Sequence, residues 1–186
     1  MLFEEKLKTR AKIYSGRSVG FSADEIFLPN GKTAVREYME HPGAVAIIPF
    51  LDKKNIILVQ QYRFPVRKLT FELPAGKLDR GEKIISCAKR ELEEETGYRC
   101  GKIRKLISFW PTPAFATEII HIFAATGLVK TKKMPDDDEF LETKTVSFEG
   151  AMRMIKNGKI MDSKTIIALL GWKVFFDIKN AFKYQS

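Results

Sequence analysis

The spacing of apolar and polar residues changes period several times along the chain, and each change marks an element. Alternation runs through Lys8 to Tyr14 and again from Ser18 to Phe27, the period of half-buried strands. Pro29-Asn30-Gly31 then supplies a turn, since Asn and Gly tolerate positive φ, and Thr33 to Met39 returns as a strand. His41-Pro42-Gly43 punctuates a boundary. Beyond it, Ala44 to Phe50 and Ile56 to Gln61 read as buried strands joined by the polar turn Asp52-Lys53-Lys54-Asn55. Residues 83 to 96 take helical spacing and stop at Gly97, a glycine suited to a left-handed cap. Strands are expected at 102–109, 118–126 and 142–147, and a short helix at 148–157 ending at Gly158. A longer helix is expected after Ser163 as N-cap, running to about Tyr184, with Ile166, Ile167, Leu170, Val174 and Ile178 on one side. This order predicts an α+β fold. A β-rich segment covers 1–40, and a mixed sheet flanked by helices covers 41–186.

Composition narrows the class without changing the picture. A chain of 186 residues suffices for one well-cored domain with a small appendage, and 45% apolar with 30% charged content is ordinary for globular proteins. No stretch approaches the roughly 20 apolar residues that cross a bilayer. The N-terminus MLFEEKLKTR carries acids early and lacks a signal peptide's apolar core, so a cytoplasmic location is expected. Cys87 and Cys100 are too few for a disulfide framework, lack zinc-ligand spacing and are read as reduced. The net charge of +9 suits either a nucleic-acid binder or an enzyme whose substrate carries phosphate charges. The lysines are scattered, as on a solvated surface, which argues against nucleic acid.

The informative stretch is Gly76 to Tyr98, GKLDRGEKIISCAKRELEEETGY. On a helical wheel Ile84, Ile85, Ala88 and Leu92 form the core-facing stripe, with Lys89 and Glu93 well outside it. Glu91 and Glu95 stand four residues apart on one side, and Glu95 projects within about 20° of Ile84, inside the apolar sector. Carboxylates turned toward the protein body are costly unless paired, and like charges at this spacing repel. With Glu94 adjacent, they want a cation, and hard carboxylate oxygens suit magnesium or manganese. The competing reading is a solvated acidic face in which Arg90 pairs with Glu94 at i,i+4.

Written as Gly76, five residues, Glu82, seven residues, then Arg90-Glu91-Leu92-Glu93-Glu94-Glu95-Thr96-Gly97-Tyr98, the stretch resembles the Nudix box at every fixed position. The resemblance implies the Nudix fold, a mixed sheet sandwiched between helices, and hydrolysis of nucleoside diphosphates linked to another moiety with bound divalent cations. It implies that Glu91, Glu94 and Glu95 are metal ligands, with the carbonyl of Ala75 a further one, and that Arg90 and Glu82 support the helix and its acids.

The flanks resemble the ADP-ribose pyrophosphatase branch over nearly the whole chain. Gln60-Gln61-Tyr62-Arg63 is similar to a strand whose arginine contacts substrate phosphates, a role suited to a planar, permanently charged guanidinium. Phe71-Glu72-Leu73-Pro74-Ala75-Gly76 resembles the branch's lead-in to the box, where Glu72 holds substrate or metal or serves structurally. Thr112-Pro113-Ala114 and Glu118 stand where the branch carries serine-proline-glycine and then a glutamate; the glycine is missing here. The loop Pro135-Asp136-Asp137-Asp138-Glu139-Phe140 resembles one whose acid acts as base, with Asp138 and Glu139 both open for that role beside Glu94. The implied reaction is magnesium-dependent hydrolysis of ADP-ribose to AMP and ribose 5-phosphate. A hydrolase of nucleoside-diphosphate sugars such as GDP-mannose is the alternative within the family, and a non-catalytic domain binding RNA or an effector lies outside it. Branch members form homodimers through the N-terminal β-rich segment, which residues 1–40 would supply here.

Overall fold

Alternation over the first 40 residues folds into antiparallel strands, but the first run breaks in two. In the computed structural model, described for residues 3–17, 19–132 and 140–181, β1 (Lys6–Thr9) and β2 (Lys12–Ser15) line the same side of β3 (Gly20–Phe27), and β4 (Thr33–Glu40) pairs with its other side. The break falls where Asp24, buried on β3, accepts the Ala11 N–H at 2.9 Å through a side-chain oxygen. Hydrogen bonds from Ala11 and then Tyr38 hold the Asp24 carboxyl below its usual range, against the upward push of burial. Gly31 takes φ 81° in the β3–β4 turn, a conformation open to glycine at little cost.

The chain divides into two units, Met1–Gly43 with Trp110–Ile119, and Ala44–Phe109 with Ile120–Ser186. Residues 110–119 group with the first unit, where Met39 donates to the Phe115 carbonyl and Thr117 to the Met39 carbonyl, at 2.9 and 3.0 Å. Such long-range backbone pairing leaves no local trace in the sequence.

The second unit carries two sheets. One has the order β8-β5-β10-β9, formed by β8 (Ala75–Lys77), β5 (Ala44–Pro49), β10 (Ile120–Lys130) and β9 (Tyr98–Phe109), with β5 and β10 parallel. The other has β6 (Asn55–Arg63) between β11 (Leu141–Ser147) and β7 (Lys68–Glu72). Strand periodicity splits the core in two. Ala44, Ala46, Ile48, Ile120, Ile122 and Ala124 point to one side, onto α2 (Phe148–Lys156) and α3 (Ser163–Ala181). Val45, Ile47, Phe123 and Ala125 point to the other, onto Cys87, Ala88 and Leu92 of α1 (Ile84–Thr96). A mixed sheet covered by helices on both faces is the expected architecture. The sequence missed β7 and β8, which are short and owe their form to β6 and β5 alongside.

Helix ends follow local chemistry. Gly97 closes α1 at φ 72°, as expected, and Ser147 caps α2 by accepting the Gly150 N–H. Ser163 is not the cap of α3: Asp162 accepts from the Thr165 N–H at 3.0 Å and its hydroxyl at 2.6 Å. The core face of α3 also differs from expectation. Thr165, Ala168 and Leu169 are buried while Leu170 and Val174 are exposed, because a helix apolar nearly all round offers no contrast from which to choose a face. On α1, Ile85 is 46% exposed and lies outside the stripe assigned to it. No helix among the described residues is long and apolar enough to cross a membrane.

Candidate active site

The acids of α1 divide as the wheel predicts. Glu91 is 8% exposed and Glu95 3%, though both are charged residues on a helix rim, whereas Lys89 is open to solvent. Glu93 faces outward but is not simply solvated; Arg99 Nε lies 2.8 Å from both its oxygens. That hydrogen bond holds the Glu93 carboxyl below its usual range.

Two features seat the inward pair. Glu95 Oε2 accepts the Ala75 N–H at 3.1 Å, which fixes the carboxylate beside the strand residue expected to lend its carbonyl. Gly76 then clears the space for Glu91, since a Cβ there would stand 1.9 Å from the Glu91 carboxyl carbon. The first glycine of the motif is therefore required by the side chain opposite it.

Arg90 organises the remaining acids. Its Nε and Nη2 donate to Glu82 at 3.1 Å each, and Nη1 donates to Glu91 at 2.7 Å and Glu94 at 2.9 Å. Its pKa rises, first through the Glu82 hydrogen bond, and the same contact lowers that of Glu82. The i,i+4 pairing with Glu94 is thus real and coexists with inward-turned acids. Among the described residues no group of three His, Cys, Asp or Glu side chains converges, as it stands, to hold an ion; Arg90 is the cation among these carboxylates. The donor chemistry nonetheless fits a hard divalent ion: Glu91, Glu94 and Glu95 offer carboxylate oxygens along one edge of α1, and the cradle at Gly76 is kept clear.

A second polar cluster lies at the end of β6. Arg63 does not stand alone: its Nε and Nη2 grip Glu72 bidentately at 2.8 and 2.7 Å. Glu72 is 2% exposed and also accepts from Thr70 Oγ1 at 2.6 Å and from Lys164. Burial would raise its pKa, but Arg63 and then Lys164 outweigh this and bring it down to about 2. Raised chiefly by Glu72, the Arg63 pKa also responds to the charge of Glu95, so this cluster lies within electrostatic reach of the α1 acids. Lys164, Asp162 and Thr165 escaped the sequence reading. An Asp-Ser-Lys-Thr run opening a helix does signal a cap, but nothing local shows that its lysine meets an acid 92 positions earlier.

Pro113 and Glu118 belong to the other unit. Pro113 sits in a turn where Ala116 N–H donates to the Thr112 carbonyl, and Glu118 precedes β10, which begins at Ile120, instead of opening the strand. Glu118 Oε1 is 3.5 Å from His41 Nδ1, but that nitrogen already accepts the Gly43 N–H at 3.1 Å. His121 of β10 contacts Ser108 Oγ at 2.7 Å through Nδ1. Asp138 and Glu139, with Asp136 and Asp137, lie outside the described residues. Cys87 is buried and free, and burial first, then Glu82 and Glu91, push its thiol up to about 12, which leaves it unreactive.

The NUDIX domain family model matches residues 39–168. A methanol dehydrogenase activator from Bacillus methanolicus is 44% identical over 186 residues, covering 99% of this chain and 98% of its own. An ADP-ribose pyrophosphatase from Bacillus subtilis (strain 168) is 39% identical over 185 residues, covering 98% of each chain. The solved structure of an ADP compounds hydrolase superposes with a TM-score of 0.78 at 21% identity, over 94% of this chain and 97% of that one, a likeness of fold.

Proposed function

Because the chain belongs to the Nudix family, we propose that it hydrolyses the diphosphate bond of ADP-ribose, with magnesium or manganese, to AMP and ribose 5-phosphate. The observation that carries this reading is the burial of Glu91 and Glu95 on a helix edge cleared by Gly76. The full-length likeness to the Bacillus subtilis pyrophosphatase supports the choice of substrate.

The ligands would be the Ala75 carbonyl with Glu91, Glu94 and Glu95. A divalent ion bound there supplies charge neutralisation for the diphosphate and lowers the pKa of water. Arg63 sets a fixed positive charge beside the phosphates, with Glu72 holding its guanidinium in one orientation. Asp138 or Glu139 takes the proton from the attacking water. Pro113 and Glu118 are the remaining candidates for substrate contact. The chain acts in the cytoplasm as a homodimer. Tyr14, Phe21, Phe27 and Val35, exposed on the first unit's sheet, support that assembly as a surface for a second copy.

The test is a magnesium-dependent assay across ADP-ribose, GDP-mannose and other nucleotide sugars, with products identified. ADP-ribose should show the highest kcat/KM; a panel in which GDP-mannose wins by about tenfold or more overturns the substrate assignment, with Ala114 the first residue to suspect. A second reading rests on the 44% identity to a methanol dehydrogenase activator: the same chain stimulates a partner dehydrogenase. Methanol oxidation measured with and without the purified chain decides it, and absence of stimulation removes it.

A further inference from the structure

We propose that Lys164 is a positioning residue of this site: by sharing Glu72 with Arg63, its ammonium sets how the Arg63 guanidinium is presented to a substrate phosphate. The inference rests on the reading of Arg63 as a phosphate contact.

An ionised carboxylate has about four acceptor sites, and Glu72 uses that number. Oε1 takes Arg63 Nε and Thr70 Oγ1, and Oε2 takes Arg63 Nη2 and Lys164 Nζ. Lys164 also donates to Asp162 Oδ1 at 2.9 Å. Two cations thus face two acids, and Lys164 is the only one of the two in contact with both, its side chain 12% exposed. Its place is set by its neighbour. Thr165, fully buried, accepts the Leu73 N–H at 2.8 Å while donating to Asp162, which clips the start of α3 to the backbone two residues before Ala75. A long, flexible side chain held between two acids by a rigid clip spends its entropy on a defined geometry. Without its charge, Asp162 and Glu72 would compete for Arg63, and the bidentate grip that orients the guanidinium would no longer be the single best arrangement.

The expected result for Lys164→Met is a KM for ADP-ribose raised about tenfold with kcat changed less than about threefold, because the lost orientation serves substrate and transition state alike. Lys164→Arg should recover much of the loss, since it restores a cation between the two acids. In an Arg63→Met background, Lys164→Met should add little to KM, as expected for residues acting through one another. A merely structural lysine would lower the melting temperature and the active fraction, leaving KM unchanged. The proposal is overturned by an unchanged KM in Lys164→Met or by additive effects on KM in the double variant. A readout independent of turnover is the NMR signal of the Arg63 Nε–H, assigned by its loss in Arg63→Met. It should shift in Lys164→Met and return toward its place in Lys164→Arg, and a signal indifferent to Lys164 also overturns the proposal. If the wild-type chain fails to hydrolyse ADP-ribose, the substrate assignment falls while this NMR comparison still decides the Lys164 geometry.

Discussion

Gly76→Ala puts a methyl group where the Glu91 carboxylate now sits. The new Cβ would stand 1.9 Å from the carboxyl carbon and Oε1 and 2.3 Å from Oε2. Ordinary contact begins at 3.4 Å, so the carboxylate must retreat by roughly 1.5 Å, the difference between 3.4 and 1.9 Å. It cannot retreat freely, being 8% exposed and held by Arg90 at 2.7 Å. The stability cost should be about 1–3 kcal/mol, the range for overpacking a filled site. The larger consequence is chemical: displacing an oxygen of the proposed metal ligand by more than an ångström should lower kcat/KM by about a hundredfold or more. Magnesium should lose most of its power to raise the melting temperature, since that effect measures binding to the folded state. The comparison that isolates the cause is Gly76→Ala combined with Glu91→Ala. If the methyl clashes with Glu91 alone, the second change relieves the stability cost of the first, and the two will not add. Thermal melts with and without magnesium and one rate assay suffice. Additive destabilisation, or a Gly76→Ala protein with wild-type turnover and magnesium response, would refute the cradle.

Glu95→Gln should abolish most magnesium-induced stabilisation and lower turnover by orders of magnitude, whereas Glu93→Gln, which releases a surface arginine, should leave both near wild type; equal effects on the melts would mean α1 is not oriented as described. Glu72 has its pKa depressed from 4.5 to about 2, so its stabilising contribution is complete above the unfolded value and is lost as pH falls from there toward about 2. Glu72→Gln should therefore flatten the acid limb of a stability-versus-pH curve in that window, and an unchanged limb would contradict the depressed value. Replacing Asp138 and Glu139 together should reduce kcat far more than magnesium affinity; wild-type turnover at saturating magnesium would place the base elsewhere.

Much of this protein was readable from period and motif because those signals are local. A 3.6-residue repeat on α1 is enough to turn Glu91 and Glu95 inward and Glu93 outward, since backbone geometry alone fixes the angles. The solidly apolar runs at 44–50 and 56–59 announced strands buried on both faces, and Gly97 announced the end of α1. What only the tertiary structure decided depends on residues distant in sequence. Period could not choose a face for α3, where apolar residues nearly surround the axis, so the sheet's shape chose Thr165, Ala168 and Leu169. Strands β7 and β8 exist because β6 and β5 offer hydrogen-bonding edges, and no pattern of three or five residues carries that information. The same holds for Lys164, whose partner lies 92 positions away, and for Gly76, whose need for a bare backbone comes from Glu91 crossing it. A sequence encodes direction along its own helix or strand; which charge meets which acid is settled only when separate elements are brought side by side.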